Sequence, residues 1–152
     1  MLGAPHVELD ALHHGPGWTR RPDFEARVEE ATAAPRWVVD GNYFTVAGTV
    51  WGRATHLVWL DYPRSLIMRR IVPRSLRRML RGERLWAGNR ERLGQLLSPD
   101  PDANPILNAW LRHPERRVQT AALLARHPHL RLVHLRHPRD ADGDWPTRLA
   151  RA

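Results

Sequence analysis

Apolar positions along this chain gather into short clusters, separated by stretches where they recur every three or four residues. The runs at 5–9, 37–40, 56–60 and 130–135 have the length of strands. Those at 37–40 and 56–60 read as apolar and β-branched, a composition suited to strands covered on both faces. Helical spacing first shows at 22–34, where Phe24, Val28 and Ala31 share a face. Pro22 suits the first turn of that helix, and Asp23 and Glu25 suit its positive end. A second helix is predicted over 64–81, with Leu66, Ile67, Ile71 and Leu76 as its apolar stripe. Pro73 lies inside it and is expected to kink it or split it in two. Two more helical stretches follow at 106–112 and 115–126, and a short closing helix at 145–151. The breakers Gly15, Pro16 and Gly17 make 11–21 a loop, and 98–105 is a loop rich in Pro and Asp.

Strands separated by helical crossovers predict an α/β fold built on a parallel sheet. At 152 residues the chain fits one domain, long enough for a core of its own. One connection is out of proportion. The strands at 37–40 and 56–60 are joined by roughly sixteen residues, a length associated with functional loops.

Composition changes this picture at two points. There is no cysteine, which excludes disulfides and thiolate metal sites, and no lysine, so every fixed positive charge is an arginine. The net charge of +8 is concentrated. Ten arginines lie between Arg64 and Arg92 against Glu83 and Glu91 alone, while the rest of the chain is balanced. Such a segment suits phosphates, nucleic acid or an anionic membrane surface, and equally a solvated helix face. No run reaches the roughly 18 apolar residues of a membrane span. The first residues lack the basic end and long apolar stretch of a signal peptide, so the cytoplasm is the expected compartment.

Three predicted strands run into aspartate: HVELD gives Asp10, WVVD gives Asp40 and LVWLD gives Asp61. In open parallel sheets the ligand sits beyond the carboxyl ends of the strands, so three carboxylates are expected to converge there. Such a group can hold Mg²⁺ through water, and one member can accept a proton. Singly, each aspartate is also what caps a turn.

The run LDYPRSLIMRRIVPRS closely resembles the segment of adenylate kinases in which a strand feeds the helix leading to the lid. By that match Arg70 corresponds to an arginine that packs on the nucleotide base and Arg74 to one that contacts phosphates. Guanidinium chemistry suits both roles, and the i to i+4 spacing puts both on one helix face. WVVDGNY resembles the apolar strand and DG element of the same superfamily, whose aspartate orients Mg²⁺ through water; Asp40 takes that position. Where adenylate kinases continue with Phe-Pro-Arg, this chain has Asn42 and Tyr43, so the match does not extend to AMP as acceptor. Pro73 stands where that family has glycine.

Together with HVELDALHHGPGW and WAGNRE, these segments resemble a bacterial group of small P-loop proteins, labelled adenylate-kinase-like or DNA topology modulation proteins. The resemblance covers nearly the whole chain in the family's order. It implies a parallel-sheet P-loop nucleotide-kinase-like fold with helices on both faces, ATP and Mg²⁺ as cofactors, and a small-molecule phosphate acceptor. Asp10, Asp40 and Arg74 would be catalytic, and Arg70, Arg74, Arg78 and Arg90 would hold the nucleotide. Asp10, Trp18, Asn42 and Tyr43 would face the acceptor. Residues 74–105 would form a lid-like insertion, with Trp86, Gly88, Asn89, Arg90 and Glu91 over the phosphates.

The same resemblance exposes what the chain lacks. Family members open with a strand, a G-x-x-G-x-G-K-[ST] loop and a helix; here Met1 stands where that helix ends, and no Gly-rich loop with lysine occurs. The absent strand would be central, between those ending at Asp40 and Asp61. Its loss is expected to leave two unpaired strand edges facing each other, and to leave the chain unstable or inactive alone. The competing readings are a nucleic-acid-binding module using the arginines of 64–92, and a non-catalytic remnant completed by another chain. A histidine metal site is disfavoured: His13 and His14 are adjacent and on a strand would point to opposite sides, and His127 with His129, or His134 with His137, lack a partner cluster. Trp37, Trp59, Trp86, Trp110 and Trp145 are expected in the core rather than on a base-stacking surface.

Overall fold

The computed structural model describes residues 3–143 and Trp145. In chain order the elements are β1 (His6–Glu8), α1 (Leu9–His13), α2 (Phe24–Ala31), β2 (Val38–Asp40) and α3 (Ala47–Arg53). They continue with β3 (His56–Leu60), α4 (Arg64–Arg81), α5 (Leu93–Leu96), α6 (Pro105–Arg126) and β4 (Arg131–Leu135). Short 3₁₀ turns lie at Pro16–Trp18, Phe44–Val46, Trp86–Gly88 and Pro138–Asp142. The mixed α/β character and the parallel strand pairing expected from the sequence are both present. Beyond Trp145, the expected closing helix at 145–151 lies outside the described residues.

The strands form two separate parallel pairs. β1 pairs with β2, setting His6 opposite Val38 and Glu8 opposite Asp40. β3 pairs with β4, setting His56 opposite Arg131 and Leu60 opposite Leu135. Backbone groups alternate sides along a strand, so the ladder ends fix which way each residue faces. Arg131 N–H donates to Thr55 C=O at 3.0 Å, and Asp61 N–H donates to Leu135 C=O at 2.9 Å. Odd-numbered residues of β3 therefore face β4, and His56, Val58 and Leu60 turn their N–H and C=O the other way. No described strand pairs with them there. A cavity of about 420 Å³ lies against β3, lined by 57–61 and by Asp40 and the residues just after it.

The core sits on the β1–β2 half. Leu9, Phe24, Val28, Val46 and Val50 bury themselves together, and Leu12, Trp37, Val39, Tyr43 and Trp51 pack against them. Phe24 and Val28 are fully buried, as their shared helix face requires. The β3–β4 half is thinner. Leu60 is 57 % exposed, and α6 buries no residue completely.

Several expectations are corrected. The long connection after β2 is not a bare loop, because α3 fills it. Ala47 and Val50 recur at helical spacing and are buried, a face masked in the sequence by Gly48 and Gly52. β1 stops at Glu8 and α1 begins at Leu9, at the end of the expected strand, and runs on into the expected loop, so Asp10 lies inside a helix rather than at a strand end. α4 runs unbroken through Pro73, and α6 runs unbroken through Pro114 where two helices were expected. Both prolines are exposed, a position where water can satisfy the carbonyl that each leaves without its helical donor. Asn104 starts α6 firmly, its side chain accepting from Ile106 and Leu107 N–H at 3.0 Å each. Of the five tryptophans expected in the core, only Trp37 packs against it; Trp110 is exposed, under the Arg64 guanidinium at 4.2 Å. Among the described residues no helix is long and apolar enough to cross a membrane.

Candidate functional site

α1 and the residues following β2 build the centre of the site. Because α1 is helical, Asp10 and His14 lie one turn apart, with His14 Nε2 3.9 Å from Asp10 Oδ1. Tyr43, placed by the loop after β2, donates its hydroxyl to Asp10 Oδ1 at 2.5 Å and lies 3.3 Å from His14 Nε2. His13 stacks on the Tyr43 ring at 4.4 Å. Burial pushes the Tyr43 hydroxyl well above its ordinary range, and its bond to Asp10 adds to this. Burial also lowers His14, against an opposing pull from Asp10, and lowers His13 with help from His14 and Arg20. Near neutrality this is a carboxylate holding a phenol proton beside two neutral imidazoles.

The Asp10 carboxylate also acts electrostatically on two guanidiniums. Arg74 of α4 is an exposed residue, yet desolvation of its charged end lowers its pKa, as does Arg78; Glu91 and Asp10 work against them. Arg116 of α6 is lowered first by burial and then by Arg112, with Glu115, Tyr43 and Asp10 opposing. Its Nη2 donates to Asn108 Oδ1 at 2.8 Å. Arg74 has no hydrogen bond or ion pair among the described residues. The arrangement is therefore cation-rich around one carboxylate, the electrostatics of a site for an oxyanion.

Residues 83–92 form a strap across this region, anchored at both ends. On the α4 side, Arg78 Nη1 lies 3.5 Å from Glu91 Oε1, and Glu83 approaches Arg77 and Arg78 at 3.6 and 3.8 Å. On the α1 side, Asn89 is buried and donates to Gly15 C=O at 2.8 Å while accepting from Trp18 N–H at 3.2 Å. Trp18 Nε1 donates to Arg90 C=O at 3.2 Å, and Trp86 Nε1 donates to Glu8 Oε2 at 2.8 Å. The Trp86 ring stacks over His14 at 5.9 Å.

Of the expected site residues, Asp10 and Tyr43 meet directly, Trp18 joins the strap, and Arg78 pairs with acids. Arg74 and Arg78 fall one turn apart on α4. Arg70 Cζ instead lies 5.3 Å from the Tyr62 ring centroid, a contact within the fold that takes its stacking face. Arg90 is exposed, and among the described residues its carbonyl accepts from Trp18 Nε1. Asp40 and Asn42 are exposed at the rim of the cavity.

The expected convergence of three carboxylates is corrected. Among the described residues, no three His, Cys, Asp or Glu side chains gather as a metal would require. Asp61 is buried and committed to the fold. Arg117 donates to its Oδ2 at 2.9 Å and brings Nε within 2.6 Å of Oδ1, and His134 Nε2 lies 3.0 Å from Oδ2. Burial pushes that carboxyl up, but the Arg117 and His134 bonds outweigh it and hold the pKa below its ordinary value. Asp40 alone remains at the rim as an exposed carboxylate that an aquated Mg²⁺ could approach.

Sequence reasoning missed His14, Arg116 and the roles of Arg117 and His134. His14 was legible only once Asp10 was known to be helical. Nothing local marks Arg116, which reaches the site through the packing of α6 on α4. The chain matches no known family model, no curated protein and no solved structure in the comparisons, so the site is defined by its own geometry.

Proposed function

We propose that this chain is the acceptor-binding and lid-bearing part of an ATP-dependent phosphotransferase acting on a small nucleotide-like acceptor. Its architecture is then that of a P-loop kinase whose central strand, phosphate loop and first helix are not among the described residues. The observation that carries this reading is the division of the sheet. Two parallel pairs flank a cavity lined by Asp40 and the residues after it on one side and by β3 and Asp61 on the other. The inner edge of β3 there has backbone groups with no partner among the described residues. A strand between the pairs would complete a parallel sheet and deliver a loop to its carboxyl end, where open α/β sheets bind ligands. In this reading Asp10 orients the acceptor with Tyr43 beside it, and Trp18 and Asn42 border it. Arg74, Arg78, Arg90 and Arg116 surround phosphate, and Asp40 holds Mg²⁺ through water. Arg70 reaches a base only by leaving Tyr62. Without the phosphate loop the chain is expected to bind phosphates and not to turn them over.

Calorimetric titration with MgATP and with duplex DNA tests this. We expect weak MgATP binding, lost at least fivefold in Arg74→Ala, and no phosphate release. Binding of duplex DNA in preference to MgATP, with a steep fall as salt rises, would move the function to the nucleic-acid reading of the arginine segment. Absence of both interactions would remove the arginines of α4 from any anion-binding role.

A further inference from the structure

Glu91 is an anomaly in the strap. Its side chain is 9 % exposed, yet its carboxylate is poorly served. Oε1 reaches Arg78 only at 3.5 Å, the outer limit of a hydrogen bond, and Oε2 is buried without a partner among the described residues. Withdrawing a carboxylate from water is costly unless cations answer it, and Arg78 with Arg74, one turn apart on α4, are the cations at hand. Neither arginine is well used in return. Arg78 meets Glu83 and Glu91 at 3.8 and 3.5 Å, distances at which its fork of donors is largely unspent, and Arg74 makes no direct pair.

A phosphate chain is a better partner for such a pair than one distant carboxylate. It offers several oxygens to each guanidinium and accepts both donors of the fork at once. We infer that Glu91 is an internal stand-in for phosphate, occupying Arg78 beside Arg74 until a polyphosphate ligand displaces it and releases that end of the strap. The inference rests on the assignment of Arg74 and Arg78 to phosphates made above, and adds to it a self-inhibiting contact that the ligand must break. Displacement costs the strap one anchor only, because Asn89, Trp18 and Trp86 still hold it to the α1 side. Gly82, where α4 passes into the strap, has φ 58°, and Ala87 and Gly88 in the middle of the strap have positive φ, at 55° and 75°. Apparent affinity is reduced in proportion to how firmly Glu91 holds the arginines, and removing its charge removes that competition.

The test uses inorganic tripolyphosphate as the probe, with the chain and its Glu91→Gln variant. Gln preserves shape and removes only the charge. Titration calorimetry is expected to show binding three- to tenfold tighter in Glu91→Gln. Glu83→Gln, whose contacts are longer and more exposed, is expected to change less. A readout on the unaltered chain accompanies it, so the result does not depend on the variant folding. Amide exchange at 84–92 should quicken on adding tripolyphosphate. Equal or weaker binding by Glu91→Gln, or a strap that becomes better protected with ligand, overturns the inference while leaving the phosphate assignment standing. Absence of tripolyphosphate binding by either protein overturns both.

Discussion

Single residues here divide sharply by whether their charge is answered. Asp61 has the strongest claim to a structural role, with Arg117 and His134 bonded to a nearly buried carboxylate. Asp61→Asn leaves those donors facing an amide and is expected to cost about 2–3 kcal/mol, less than a fully buried pair because Arg117 is itself half exposed. The pH dependence follows from the depressed carboxyl. Its contribution is complete above the unfolded value of about 4 and disappears as pH falls through the lower folded value. Urea unfolding at pH 7 and pH 3 checks this: the gap between wild type and Asp61→Asn should be wider at the first than at the second. Asp10 is the contrast. Among the described residues no arginine side chain is bonded to it, and its nearest partners are a phenol and a neutral imidazole, an arrangement that suits a group waiting for substrate. From sequence alone the two aspartates look alike, each closing an apolar run. What separates them is long-range: Arg117 and His134 lie far along the chain, and no spacing rule connects them to position 61.

Elements were legible where their pattern was local and hidden where tertiary contacts decided. Phe24 and Val28 on one face of α2, and the full extents of β3 and α4, could be read directly from periodicity. α3 could not, because its two glycines lower helix propensity and its helical state depends on packing Ala47 and Val50 into the core. The strap belongs to a third kind, with little regular structure and a set of specific bonds. Asn89 is its keystone, buried and bonded to both Gly15 and Trp18. Asn89→Ala removes both bonds and leaves the Gly15 carbonyl without its donor, at an expected local cost of about 1–3 kcal/mol. Hydrogen exchange should register this as faster amides across 84–90 with little change in α2 and α3. A uniform rise throughout the molecule would mean that the strap is part of the global folding unit instead.

At the scale of the whole molecule, the parallel pairing and α/β character were readable from the order of runs and stretches, but the separation into two pairs required coordinates. A continuous apolar run such as β3 reads as a strand enclosed on both sides, and here it borders a cavity with Leu60 largely exposed. The mismatch between what β3 is made of and where it sits has a direct signature. Leu57 and Trp59, facing β4, should exchange their amides slowly, whereas Val58 and Leu60 should exchange quickly. Site-resolved exchange by NMR tests the alternation; equal protection of all four would mean that the far edge of β3 is covered in solution.

That edge also bears on how the protein keeps company with itself. Unpaired strand backbone flanked by apolar side chains is a template for any extended chain that reaches it, and Val58 and Leu60 carry neither the charge nor the proline with which edges are commonly guarded. Self-association through this edge is therefore an expected limit on how concentrated the protein can be kept. Concentration sets how long it stays dispersed, and a lysine introduced at Leu60 should extend that time even if the melting temperature does not move.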